Sequence, residues 1–321
     1  MGARILVTGA GGDSAQGVIR ALRKAPCDYV IASVCIGQQS PGLHMSDIWG
    51  IAPPIKSERE YVEFLIEFVR QHAIDIIIPT IDGELLLMCR CRSEIEHLTQ
   101  SKVILGSSES VAICADKLAT SRYLSDVAVG QPVTMTVADE TKISDMVNSG
   151  AKVIMKPRMG GGSKGIRILD AAALEVADWL SGDNIYQHFD EYSKEFTAVI
   201  MKDGGSVVAT AVFERILSGG RTVWCKRVPA MEYKDMLKTV AHGLDIPYLN
   251  IQFGVDKGVP HVFDLNPRFS GSTAVFSEVF NGPHLLVQRH INGVMPPFSC
   301  SAVYFESVRY FEDLIFNRHA Y

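Results

Sequence analysis

At 321 residues, the chain exceeds what one simple core organises and suits two or three packed domains. Hydrophobic residues at 47% and charged residues at 21% mark a globular composition and exclude a disordered or fibrous chain. A net charge of -5 gives no general electrostatic reason to expect nucleic acid or an anionic membrane as partner, so any local basic cluster needs a site to explain it.

No apolar run reaches the roughly 18–20 residues of a membrane span. The opening MGARILVTGAGG enters a strand at once, without the apolar region and cleavage site of a signal peptide. Leu6 stands where a myristoylation start needs Ser or Thr. The seven cysteines are scattered without a CxxC pair, and Cys89 and Cys91 form only a CxC on a predicted helix. They read as structural or free thiols, which implies a reducing, cytoplasmic compartment.

In chain order, residues 4–8 read as a short buried strand, followed by a glycine turn and a helix over about 13–24. A second strand is expected at 29–36, an amphipathic helix at 58–72, a buried parallel strand at 75–79 and another strand at 102–105. This alternation predicts an open, doubly wound α/β unit. A helix over 109–124 follows, with Ser107 or Ser108 as N-cap. A small α/β module comes next: a strand near 132–137, a helix from Asp139 to about 149, strands at 152–156 and 166–169, and a helix at 171–180. The pattern then changes to longer strands at 184–189, 194–201, 206–215 and 221–228. A helix at 231–243 and a hairpin of 248–256 with 260–266 about Asp256-Lys257-Gly258 complete it.

Four stretches carry chemistry. Gly9-Ala-Gly-Gly-Asp-Ser-Ala-Gln-Gly17 opens a helix and is either a tight turn or an anion contact. The second strand ends Cys35-Ile36-Gly37 without the acid that a dinucleotide ribose needs, and Val18-Ile19 replaces the Lys-Ser/Thr of a Walker A loop. Lys156 closes a hydrophobic strand before Gly160, Gly161, Gly162, Ser163, Lys164 and Gly165, a loop whose backbone N–H groups can curl over phosphates. Around Gln187, His188 and Phe189, exposed strand backbone could read adenine, while Glu195 could accept from ribose hydroxyls; taken alone, ordinary strand-turn-strand sequence is the stronger reading. Finally, Asp264 and Asn266 share a strand face, and Gln252 lies on the paired strand. Three hard oxygen donors suit Mg²⁺ (or Mn²⁺), with Arg268 next to them as a fixed-charge fork for a phosphoryl group. Arg215 and Lys226, on successive strands, are candidate substrate anchors or solvated strand residues.

In this order the stretches resemble the ATP-grasp superfamily, and within it the large subunit of carbamoyl phosphate synthetase. Asn250-Ile-Gln252-Phe and Asp264-Leu-Asn266-Pro-Arg268-Phe-Ser-Gly-Ser272 resemble that family's Asn-Val-Gln-Phe and Glu-x-Asn-Pro-Arg-x-Ser segments. Val153 to Ile166, Lys194-Glu195-Phe-Thr and Asp116-Lys117-Leu-Ala-Thr resemble its phosphate-loop, ribose and helix-start segments, and the likeness runs from residue 1 to about 290. The resemblance implies an N-terminal α/β domain (1–108), a small lid (109–182) and a C-terminal antiparallel-sheet domain (183–321). It implies Lys117 and Lys156 on ATP phosphates, Glu195 on ribose, Gln252, Asp264 and Asn266 on the metal, and Arg268 on an acyl phosphate. Asp264 is one methylene shorter than the family's glutamate, which leaves the number of metals open. One grasp unit, far shorter than a carbamoyl phosphate synthetase, points to a stand-alone ligase joining a small carboxylate to an amine, with ATP cleaved to ADP and phosphate. A kinase or a carboxyphosphate-using carboxylase is the nearest alternative. A non-catalytic ATP-binding regulator and a nicotinamide oxidoreductase are more distant, and a homodimer is left open.

Overall fold

The computed structural model describes residues 2–161, 165–169, 180, 182–188 and 192–315, in which three sheets are present. The first is a parallel sheet in which β1 (Arg4–Thr8) lies between β2 (Val30–Cys35) and β4 (Ile76–Ile78). β3 (Ile48–Ile51) and β5 (Lys102–Val103) form its edges, giving the order β3-β2-β1-β4-β5. The uninterrupted Ile76-Ile77-Ile78 run is what a parallel strand covered on both faces requires. One face is covered by α3 (Glu58–Gln71), which buries Val62, Leu65 and Val69 at helical spacing, and by α4 (Asp82–Thr99). The other face is covered by α1 (Asp13–Arg23) and by α10 (Gly282–Asn292), which comes from the far end of the chain.

The large antiparallel sheet has the order β14-β13-β10-β11-β12-β15. Its strands are β10 (Lys194–Asp203), β11 (Ser206–Ser218), β12 (Arg221–Val228), β13 (Tyr248–Asp256), β14 (Val259–Asn266) and β15 (Glu306–Val308). Side-chain alternation along β10 sorts its residues. Phe196, Ala198 and Ile200 pack beneath α8 (Lys234–His242), whereas Val199 and Met201 join the core shared with α1 and α10. On that second face the apolar half of the sheet meets the N-terminal domain, and the polar half, beginning at Glu195 and Thr197, opens into a cleft. The β13–β14 hairpin closes through Lys257 (φ 47°) and Gly258 (φ 84°), the paired left-handed conformations of a two-residue turn.

The small sheet, β6-β9-β7-β8, packs its apolar face on α7 (Glu140–Asn148) through Met135, Ile143, Val147 and Tyr186. Its strands are β6 (Thr134–Met135), β7 (Val153–Pro157), β8 (Arg167–Leu169) and β9 (Asn184–His188). The boundaries expected from sequence shift in two places. β9 pairs with β7, so the small sheet runs past residue 182. The helix expected over 109–124 is α5 (Ser108–Ala115) and α6 (Lys117–Asp126), and Cys114 and Leu124 pack in the core of the large sheet, not of the small one. The break falls at Asp116, whose extended backbone ends α5 while its carboxylate caps α6 by accepting from the Leu118 N–H at 2.9 Å. The helix expected at 171–180 lies outside the described residues. β3, α10, β15 and the short helices α2 (Pro41–His44) and α9 (Thr273–Phe276) were not anticipated.

Glu84, on α4, is a fully buried carboxyl within the first domain. Thr8 donates to its Oε2 at 2.9 Å, and Oε1 has no hydrogen-bond partner among the described residues. Burial pushes its pKa up to about 7, partly offset by the Thr8 hydrogen bond. The folded state therefore holds this proton more tightly than the unfolded chain, so stability from this group falls as pH rises from about 4.5 to about 7. Glu84→Gln keeps an acceptor for Thr8 and removes the ionisation. Its stability relative to wild type should improve by on the order of 2 kcal/mol between pH 5 and pH 8. Urea unfolding at the two pH values measures this, and an unchanged difference would contradict it.

Candidate active site

A cleft of about 1250 Å³ opens between the small and large sheets, with the β1–α1 loop at one end. That volume exceeds the roughly 300–1,000 Å³ of a typical single-ligand pocket.

On the small-sheet side, Lys156 at the end of β7 donates to Gln187 Oε1 at 2.9 Å, and Gln187 Nε2 donates to Thr134 at 2.8 Å. Gln187 is buried and flanked by β6 and β7, so it is not the free strand edge expected from sequence, and its contribution here is its side chain. The Lys156 ammonium lies 5.6 Å from the Phe263 ring centroid. Burial lowers its pKa to about 8, against the attraction of Asp264 and Glu195 and with the repulsion of Lys117. Lys117, the first residue of α6, donates to the Gly160 carbonyl at 2.6 Å. The same helix start is tied to β7 by an ion pair of Asp116 with Arg158. Burial alone would raise the Asp116 pKa, but the Arg158 hydrogen bond and the helix N–H groups carry it below the usual range. Gly160 has φ 99°, a conformation that favours glycine. Gly162, Ser163 and Phe189 lie outside the described residues. His188 lines the cleft.

The large-sheet side is built by register. Glu195 pairs with Arg215, Thr197 with Gln252, Gln252 with Asp264, and Asn250 with Asn266, so these polar residues share one face. Arg215 is buried and donates to Gln252 at 2.9 Å and Glu195 at 3.4 Å, and its Nε has no partner among the described residues. Burial lowers its pKa, opposed by Glu195 and Asp264. A bulge between Gln252 and Phe253 sets the phase of β14. Phe253 faces Val262 in the apolar core, Gln252 faces Asp264 in the cleft, and the extra residue, Phe263, stacks on Tyr192 in the cleft. Lys226 does not join this face: register pairs it with Glu214, opposite to Arg215, and it meets Glu306 at 3.5 Å. Its expected role as a substrate anchor is corrected on that ground.

Arg268 follows β14 and is deeply placed, with its side chain 11% exposed. Its Nε and Nη2 meet the two oxygens of Asp82 at 2.5 and 2.6 Å. Nη1 reaches Ser14 Oγ at 3.2 Å and the Phe269 carbonyl at 2.9 Å, and Nη2 also faces Asn266 at 3.4 Å. Five N–H groups thus meet five acceptors. A Cβ at Gly161 would sit 2.2 Å from Asp82 Oδ2, so any larger residue there would have to displace the carboxylate that Arg268 holds. Sequence reasoning missed Asp82 and Ser14, because nothing local marks a helix-start carboxylate 186 residues away as the partner of Arg268.

The family model of the ATP-grasp domain matches residues 114–272, and that of the PylC-like N-terminal domain matches residues 5–104. The chain belongs to the ATP-grasp superfamily. The carbamoyl phosphate synthase large chain of Methanothrix thermoacetophila is 23% identical over 251 residues, 71% of this chain. This chain spans only 22% of that relative's length. Among solved structures, N5-carboxyaminoimidazole synthetase from Staphylococcus aureus with ADP superposes with a TM-score of 0.70 at 14% identity, covering 94% of this chain and 80% of that one. The biotin carboxylase domain of 2-oxoglutarate carboxylase from Hydrogenobacter thermophilus gives 0.67 at 16%, covering 94% and 72%. These likenesses show an ATP-grasp fold.

The donors at the strand end are of the kind that could hold a hard cation. Asp264 supplies a carboxylate, and Gln252 and Asn266 supply amide oxygens on the same face; Asn266 Nδ2 already holds Asp264 Oδ2 at 2.9 Å. Among the described residues no three His, Cys, Asp or Glu side chains cluster as a metal cage. Such a set suits Mg²⁺ that takes its remaining oxygens from phosphate and water. The Asp82–Arg268 contact predicts a stability difference. Asp82→Ala leaves a mostly buried guanidinium without its bidentate partner and should cost roughly 1–3 kcal/mol. Lys226→Ala, on an exposed pair, should change stability by less than about 0.5 kcal/mol. Denaturant midpoints of the two variants, compared with wild type, test the contrast.

Proposed function

We propose that this protein is an ATP-dependent ligase that activates a small carboxylate as an acyl phosphate and transfers it to an amine, releasing ADP and phosphate. The observation that carries this reading is the convergence of Asp264, Asn266 and Arg268 at one strand end, in the same cleft as Lys117 and Lys156. The ADP-bound S. aureus neighbour and the Mg-ADP- and bicarbonate-bound H. thermophilus neighbour support it through shared fold.

In this reading Lys117, Lys156 and the Gly160–Gly161 backbone hold phosphates, and Glu195 takes ribose hydroxyls. Gln187 positions Lys156, and His188 borders the nucleotide. Gln252, Asp264 and Asn266 would hold Mg²⁺, which neutralises phosphate charge when bound. Arg215, under Glu195 and Gln252, fixes both acceptors by hydrogen bonds. A substrate carboxylate oxygen attacks the γ-phosphorus, the bond to the β-phosphate oxygen breaks, and ADP leaves. Arg268 then stabilises charge on the transferred phosphoryl group, exchanging part of its Asp82 contact to do so. The amine attacks the acyl carbon, phosphate leaves, and the amine proton is lost to solvent.

Two measurements test the reading. In the free protein Lys156 loses its proton as pH rises through about 8, and bound phosphates would hold that proton to higher pH. Nucleotide affinity should therefore be flat below about pH 8 and weaken by up to about tenfold per pH unit above it. Lys156→Met should abolish this dependence and lower turnover by roughly 10²-fold. An unchanged profile in the variant would remove Lys156 from the phosphates.

The second measurement screens carboxylates and amines in pairs for stimulated ATP cleavage, followed by phosphorus NMR. With the right carboxylate and no amine, hydroxylamine should trap the acyl phosphate as a hydroxamate. Release of AMP and pyrophosphate, or of a lasting phosphoester, would rule out the ligase reading. Asp264→Ala should abolish turnover with the fold intact, because it removes a charged ligand and opens no core cavity.

A further inference from the structure

Beyond the nucleotide region, the cleft ends in a charged corner. Asp13, in the first turn of α1, accepts from Arg309 Nη1 at 2.6 Å and lies 3.4 Å from Arg221 Nε. Arg309 follows β15, and its Nη2 donates to the Gly271 carbonyl at 2.8 Å. Arg221 starts β12, is 58% exposed along its side chain, and has Asp13 as its ion-pair partner among the described residues. Three separate parts of the chain thus bring two guanidinium groups to one carboxylate, and all three side chains line the same cleft. Gly271 closes the corner without a side chain, since a Cβ there would lie 3.1 Å from Asp13 Cβ.

The corner adjoins the reacting end of the cleft. Ser14, next to Asp13, lies 3.2 Å from Arg268 Nη1. A ligand whose reacting group sits at Arg268 would therefore carry its other end to Asp13, Arg221 and Arg309. We infer that this corner recognises an α-amino acid through both of its charges, the carboxylate on Arg221 and Arg309 and the ammonium on Asp13. Two forks for one carboxylate leave a net positive site that takes a monoanionic group, and Asp13, released from Arg309 by that group, becomes the partner of the ammonium. The cleft has room for this ligand beside a nucleotide. The inference names the substrate class for the ligase reading and rests on it for the reaction; the recognition itself is testable without turnover.

Thermal unfolding of the full chain would be followed with each proteinogenic amino acid at about 10 mM, with and without MgADP. The decarboxylated and N-acetylated forms of each responding amino acid, glutarate, and inorganic phosphate are the control ligands. At least one amino acid should raise the midpoint by about 2 °C or more, and both of its modified forms should fail to do so. Arg221→Gln/Arg309→Gln should lose the shift and keep the MgADP shift. If that variant does not fold, Arg221→Gln alone, at an exposed position, should reduce the shift. The inference is overturned by a panel in which no amino acid stabilises the protein, by a shift that survives decarboxylation, N-acetylation or the substitutions, or by stabilisation by phosphate or glutarate alone. Absence of any MgADP shift in wild type would instead remove the nucleotide reading, with the amino-acid result still decided in the nucleotide-free protein.

Discussion

The contact of Arg268 with Asp82 ties the molecule together. The guanidinium comes from the end of the large sheet, the carboxylate from the start of a helix in the first domain, and the glycine loop after β7 lies against both. Each partner alone would be costly in so enclosed a place, because a desolvated charge without a counter-charge loses several kcal/mol of hydration. Together they set where the first domain sits against the sheet, and hence where the β1–α1 loop meets the strand end. The two carboxylate oxygens also hold an arginine fork in the planar geometry that a phosphoryl group would need. The contact that fixes the assembly is therefore also the one that chemistry at this site would have to loosen.

Much of the fold was legible because it depends on local pattern. The Ile76–Ile78 run announced a parallel strand, and the helical spacing in 58–72 announced α3. Asp264 and Asn266, two residues apart, shared a face as strand alternation demands. What stayed hidden depends on distance. Asp82 and Ser14 gain meaning only when folding brings them to Arg268. Lys226 looked equivalent to Arg215 in the sequence, yet the pairing of Arg215 with Cys225 and of Lys226 with Glu214 puts them on opposite faces. Antiparallel register is set by turn geometry and bulges, and an offset of one residue reverses every assignment.

The bulge at Phe263 shows how a sheet serves two masters. Val262 packs into the apolar core under α8, while Asp264 two positions later faces the polar cleft. Strict alternation would have put both on one side. The inserted residue rotates the strand by half a turn between them, and its own ring is then free to stack on Tyr192 and to lie beneath the Lys156 ammonium. Similarly, Asp116 serves as the end of one helix, the cap of the next and the counter-ion of Arg158. In both places a local irregularity, not a regular element, aims the functional side chains.

The sharing of one core by α1, β1 and α10 bears on how the chain matures at the ribosome. The parallel sheet is complete at residue 103, but α10, which shares the core on one of its faces, begins only at Gly282. At about 5–20 residues per second, that face would lack α10 for roughly ten to forty seconds of synthesis, with only α1 of its two helices in place. During this interval the part of the cluster around Ile5, Ile31 and Ile76 that Leu285, Leu286 and Val287 complete would lack its cover, leaving apolar surface open to chaperones and to neighbouring chains on the same messenger. The parallel sheet is thus made well before its core is finished.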